Sequence, residues 1–192
     1  AQAVFTKHVE PWKLAHATDI GRLDLIGADA SLRGLDLLFH ELDKKKRLAK
    51  LLGQLDKAYD RMLLDCPPGL TETSEQVMRA ADLIVVPVIP SPLSERALAE
   101  VEAYLGGGSK GGKVRVRPVE SMVDRRRKLH AEALENHPNW PVIPMASIVE
   151  AMAVRRAPVG AFANRTVGGK AFTGLWQAIE KRLARPQKSE KT

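Results

Sequence analysis

Apolar residues recur along this chain with two periods, and the two alternate. Leu48, Leu51, Leu52, Leu55 and Tyr59 fall on one stripe of a 3.6-residue repeat, which predicts a helix. Residues 35–42 read as a shorter one. Residues 61–66 and 83–89 are near-continuous apolar runs, the pattern of strands covered on both faces, and 23–28 is a briefer run with Gly27 near its end. Ser91-Pro92 opens a helix whose Ala97, Leu98, Val101, Tyr104 and Leu105 face inward. After a loop at 106–113, Arg115 and Arg117 alternate with Val114 and Val116 over residues 114–119, which predicts an edge strand or one with a wet face. A basic helix over 126–135, a turn at 136–139 and a last strand over 140–145 follow. Ser147 with Glu150 reads as a capping box, and Phe172, Leu175, Trp176, Ile179 and Leu183 share one face of a final helix. Strands alternating with helices predict an α/β fold, a doubly wound and mainly parallel sheet with helices on both faces. The organisation expected is a connecting segment over residues 1–22, a domain over 23–184 and a polar tail over 185–192.

Composition narrows the class. A chain of 192 residues with 44% hydrophobic and 28% charged positions is ordinary for a globular protein with a proper core. No apolar run approaches the roughly 18 residues of a membrane span, and no basic-then-apolar leader is visible. Cys66 is the only cysteine, so an internal disulfide is impossible; a reducing compartment and a small buried hydrophobe fit it best. His8, His16, His40, His130 and His137 lack metal-ligand spacing and read as surface or structural residues. The net charge of +7 is uneven: residues 1–105 carry 13 Lys/Arg against 16 Asp/Glu, and 106–192 carry 17 against 7. Such asymmetry points to a polyanion, nucleic acid or an anionic membrane surface, with a solvated basic face as the plain alternative.

Several segments carry candidate chemistry. Gly107 to Lys113 has the spacing of a phosphate-binding loop, but Val114 stands where Ser or Thr must reach magnesium, and the predicted flanks are reversed. Arg61-Met-Leu-Leu-Asp-Cys-Pro-Pro-Gly69 ends an apolar run in an acid. An Asp at the carboxyl end of a buried parallel strand lies where open sheets hold ligands and can orient magnesium or an attacking water; equally, it caps the next turn. Pro67 and Pro68 deny two backbone donors and fix the exit direction. Ser121 reads on its own as a strand-end hydroxyl and Asp124 as a helix cap. Arg125, Arg126, Arg127 and Lys128 form one basic cluster and Arg155-Arg156 a second, with no interleaved aromatics for base stacking.

The order of these features resembles the ParA/MinD-type partition ATPases over roughly residues 20–184. The matching stretches are 23–28, the helix containing Arg47-Leu48, 59–68, 80–82, 85–88, Ser121 to Arg127, Val142-Ile-Pro144, Ala157-Pro158 and the final helix. The resemblance implies that Asp65 is the Walker B acid, catalytic and bound to Mg2+ through water, with Pro67 beside it. It implies that Ser121 and Pro144 frame the base of ATP, and that Arg126, with Arg125, Arg155 and Arg156, contacts DNA. It further implies an ATP-bound homodimer on non-specific DNA, a ParB-type activator, and a cytoplasmic, nucleoid-associated protein. The family's opening strand, Lys-Gly-Gly-Val-Gly-Lys-Thr-type loop and aspartates have no counterpart ahead of Leu23, and Ile148 replaces a second basic position. The expectation is therefore an ATPase lineage without its phosphate loop, a fragment or processed product. A non-catalytic scaffold and a MinD-like membrane relative are the alternatives.

Overall fold

The computed structural model describes residues 9–42, 47–66, 69, 71–107 and 115–184. They belong to two compact units, Ala1–Ala81 and Asp82–Thr192, each with its own architecture.

In the first unit a 3-10 turn at Pro11–Leu14 leads to a short antiparallel pair, β1 (His16–Ala17) and β2 (Asp24–Leu25). Thr18 closes the connection: its Oγ1 donates to the Leu23 carbonyl at 2.8 Å and accepts from the Ile20 amide at 3.2 Å. Only two residues of the expected 23–28 strand pair in this way. The helices are α1 (Leu35–Leu42), α2 (Arg47–Leu52) and α3 (Glu72–Ala80), with α1 and α2 packed on α3. Leu35 and Phe39, one turn apart, bury together. The predicted helix through Tyr59 stops at Leu52, where the chain turns at Gly53, yet Leu55 is still buried from the turn. α3 starts with a capping box that sequence reading overlooks. Thr71 Oγ1 accepts from the Ser74 amide and Ser74 Oγ from the Thr71 amide, at 3.3 and 2.7 Å. Asp36 of α1 accepts from the Thr73 amide at 2.8 Å, and the hydrogen bonds from Thr73 push its carboxyl pKa down.

Residues 61–66 correct the expectation of a covered strand. The segment is irregular, finds no ladder partner among the described residues, and leaves Leu63 75% exposed. An apolar run becomes a buried strand only where neighbouring backbones satisfy its amides and carbonyls. Cys66 is likewise exposed rather than buried.

The second unit is the parallel α/β part. β3 (Leu83–Val88), β4 (Arg115–Val123) and β5 (Val142–Pro144) lie side by side in that order, all parallel. α4 (Pro92–Gly107) connects β3 to β4 and α5 (Lys128–Asn136) connects β4 to β5. Then come α6 (Ser147–Arg155), α7 (Val159–Ala163) and α8 (Val167–Leu183), which pack on one another, with α8 also against β5. Val88, Leu98, Val119, Val123, Ala133, Ile143 and Val159 form the core. β4 is flanked on both sides, so the expected edge strand is not one. Its arginines are half-buried because they find carbonyls: Arg115 donates to the Arg182 carbonyl and Arg117 to that of Asn139. The capping box at Ser147 and Glu150 is absent, since Ala146 is the N-cap and Ser147 is already the first helical residue. Among the described residues no helix is long and apolar enough to cross a membrane.

Candidate functional site

Parallel strands bring their carboxyl ends to one side of a sheet, and open α/β sheets bind ligands there. β4 and β5 reach that side out of step. Glu120 pairs with Val142 and Val123 with Pro144, so three steps on β4 oppose two on β5, a β-bulge. Met122 stands in the bulge with φ 55, a left-handed conformation that L side chains rarely adopt. Backbone bonds hold both ends of the irregularity, from the Glu120 amide to the Pro141 carbonyl and from the Met145 amide to the Val123 carbonyl, each 2.9 Å. Beyond the bulge the chain opens a cleft of about 380 Å³. Val123, Val142, Pro144 and Met145 wall it, Asp124, Arg125 and Arg126 rim it, and α8 adds Val167 and Ala171. Apolar walls with a few polar groups at the rim are the make-up of a small-molecule site.

Asp124 organises the rim. Its Oδ1 accepts from the backbone amide of Arg126 at 3.1 Å and from Arg126 Nε at 2.9 Å, while Oδ2 accepts from Nη2 at 2.8 Å. The residue is therefore an Asx turn and a two-pronged carboxylate, not the helix cap read from sequence; the N-cap of α5 is Arg127. Hydrogen bonds from the Arg126 side chain and backbone push the Asp124 pKa down to about 2. The Asp124 amide donates to Nδ1 of the buried His130 at 3.1 Å, so Nε2 is the ring nitrogen that carries the proton.

Pro144 lines the cleft with Arg125 and Arg126, whereas Ser121 is half-buried on β4 and does not line it. Arg155 ends α6 with its guanidinium 4.7 Å from the centre of the Phe162 ring, and Arg156 is the exposed, left-handed C-cap. Asp65 is exposed on the irregular segment of the first unit, and Pro67 lies outside the described residues. Partial desolvation, then the Asp65 carboxylate, push the neighbouring Cys66 thiol pKa up. Among the described residues no group of three His, Cys, Asp or Glu gathers to hold a metal. A magnesium ion meeting the Asp65 carboxylate would take its remaining ligands from phosphates and water, so these residues do not make a metal site by themselves. The carboxylate of Asp124 and the α8 contribution are what sequence reading missed; the acid two positions before Arg126 was the available signal for the first.

Comparison with known proteins adds the following. Residues 2–106 match the family model described as AAA domain. Over 73 residues the chain is 33% identical to the sporulation initiation inhibitor protein Soj of Bacillus subtilis (strain 168), covering 38% of this chain but only 29% of Soj. The structure superposes on the cell division ATPase MinD of Pyrococcus furiosus with a TM-score of 0.73 at 19% identity, covering 94% of this chain and 74% of that one. A complex of McdA from Cyanothece with ATP superposes with a TM-score of 0.75 at 17% identity, covering 93% and 74%. At such identities the structural likeness is one of fold.

Proposed function

The chain belongs to the AAA domain family of ParA/MinD-type P-loop partition ATPases, and from that premise we propose that it serves as a ParA-like ATPase of DNA partitioning. In this reading the intact protein binds ATP with Mg2+, pairs with a second copy, lays a basic surface on DNA of any sequence, and is released when a ParB-type partner stimulates hydrolysis. Linkage supplies the logic: ATP favours the dimer, the dimer doubles the cationic surface, and affinity for phosphates rises steeply. Asp65, with Pro67, would serve the magnesium end of the nucleotide, and Ser121 and Pro144 the base. Arg125, Arg126, Arg155 and Arg156 would furnish the DNA face, and nucleoid association would follow from it.

The observation that carries this reading is the cleft beyond β4 and β5, where apolar walls meet a rim of arginines in the basic half of the chain. The McdA complex with ATP supports nucleotide binding by this fold. The test is a titration with a fluorescent ATP analogue alongside DNA-binding isotherms with and without ATP. ATP-dependent, salt-sensitive and sequence-indifferent DNA binding is the expected result. DNA binding that ignores ATP favours a scaffold instead, and flotation with anionic liposomes in place of DNA binding favours a membrane-associated relative.

A further inference from the structure

We propose that Asp124 is the positioning residue for Arg126: its carboxylate takes one edge of the guanidinium and so presents the other to a backbone phosphate of DNA. The proposal rests on the DNA-binding reading and deepens it, because it says what sets one of three consecutive arginines apart.

A guanidinium carries its N–H donors in a rigid fork, and either of two edges can grip an anion with a parallel pair of bonds. Nε and Nη2 form one edge, Nη1 and Nη2 the other. Asp124 occupies the first, with Oδ1 2.9 Å from Nε and Oδ2 2.8 Å from Nη2. The second edge keeps its donors and faces outward: the Arg126 side chain is 90% exposed and that of Asp124 only 18%. The acid is itself fixed from behind. Its backbone amide donates at 3.1 Å to Nδ1 of the buried His130 on α5, and its carbonyl accepts from the Arg127 amide at 3.0 Å. The Arg126 amide donates to Oδ1 at 3.1 Å, so one carboxylate holds both the main chain and the side chain of the same arginine. The Asp124 pKa of about 2 keeps that carboxylate ionised at any pH where DNA binding is measured. The guanidinium is therefore set before DNA arrives. Ordering a free arginine at an interface costs a factor of roughly three to ten in affinity, and Arg126 avoids that cost. Among the described residues Arg125 and Arg127 have no ion-pair partner, so a contact through either one orders its side chain at binding.

An acid beside DNA also repels phosphates, so the experiment compares variants of equal charge. Asp124→Asn and Asp124→Ala both lack the negative charge, but only Asn keeps an Oδ1 for the Arg126 amide and Nε. A random-sequence DNA duplex is titrated over a salt series, with and without ATP and Mg2+. The proteins are the wild-type chain, the two Asp124 variants, Arg126→Ala, and each Asp124 variant combined with Arg126→Ala. Asp124→Ala is expected to bind roughly three- to tenfold more weakly than the wild type, with Asp124→Asn between them. Without Arg126, the Asn and Ala variants should bind alike. Asp124→Ala that binds as tightly as the wild type, or more tightly, overturns the proposal, because the acid then only repels DNA or does nothing. A difference between Asn and Ala that persists without Arg126 also overturns it, since Asp124 then merely shapes the turn. A second measurement needs no Asp124 variant: NMR relaxation of the Arg126 Nε–H in the wild type, assigned by its loss in Arg126→Ala. It should be as rigid as the backbone before DNA is added, and a freely moving guanidinium sinks the idea. DNA binding that ignores Asp124 removes the positioning role alone; no DNA binding by the wild type removes the functional reading with it.

Discussion

Glu120 is 1% exposed in the middle of the sheet, and among the described residues one bond holds its carboxylate: Oε1 lies 3.0 Å from His137 Nδ1, while Oε2 has no partner. The imidazole is steadied by Trp140, stacked at 3.8 Å and 3°. Removing one partner of a buried pair leaves the other desolvated and uncompensated. His137→Ala should therefore cost about 3 kcal/mol in urea unfolding, and Glu120→Gln less, because an amide oxygen still accepts the imidazole N–H. Asp124 offers a second residue-level check. Its pKa is depressed in the folded chain, so its contribution to stability is present above the ordinary value of 3.8 and is lost as the pH falls toward 2. Arg126→Ala removes the main cause, and the Asp124 carboxyl carbon, followed by NMR, should then titrate nearer 3.8. Neither arrangement was legible in sequence. Glu120 and His137 are 17 positions apart, and the acid two positions before Arg126, the one local signal, reads equally well as a helix cap.

Among elements, Gly168-Gly169 shows glycine demanded by close packing. The pair sits in the first turn of α8, where the Thr166 hydroxyl accepts from the Gly169 amide at 3.2 Å. A Cβ on Gly169 would lie 2.3 Å from the Ala163 carbonyl oxygen and 2.7 Å from the Asn164 Cα, backbone atoms that cannot step aside. Gly169→Ala should destabilise by about 3 kcal/mol despite alanine's better helix propensity. Gly174, later in the same helix, has open space at its Cβ, so Gly174→Ala should stabilise by roughly 0.5–1 kcal/mol. Paired thermal melts check both signs. β3, α4, β4 and α8 were legible because periodicity and end signals agreed, as with Pro92 opening α4. Residues 61–66 misled because hydrophobicity reports a wish for cover, not the presence of a neighbouring strand. Ser147 misled because the helix already includes it, which makes Ala146 the cap.

At the scale of the molecule, the α/β class was readable from the alternation of blocks, and the parallel order β3-β4-β5 bears it out. The cleft was not readable, because a bulge at Met122 and two side chains from α8 shape it, and neither leaves a periodic trace. The charge imbalance was readable but not its division of labour. Residues 106–192 hold 17 cations against 7 acids, and any such surface binds DNA at low salt, so affinity alone decides little. The response of the salt slope to named residues does decide. If Arg125, Arg126 and Arg156 each neutralise one phosphate while Arg155 stays on Phe162, log K should fall against log salt with a slope of about −2.7 per chain, roughly double that in a dimer. Replacing Arg125 and Arg156 together by Ala should bring the slope per chain to about −0.9, equally on unrelated DNA sequences. A slope that ignores both residues would place the phosphates elsewhere on the chain, and a loss confined to one DNA sequence would mean that bases rather than backbone are being read.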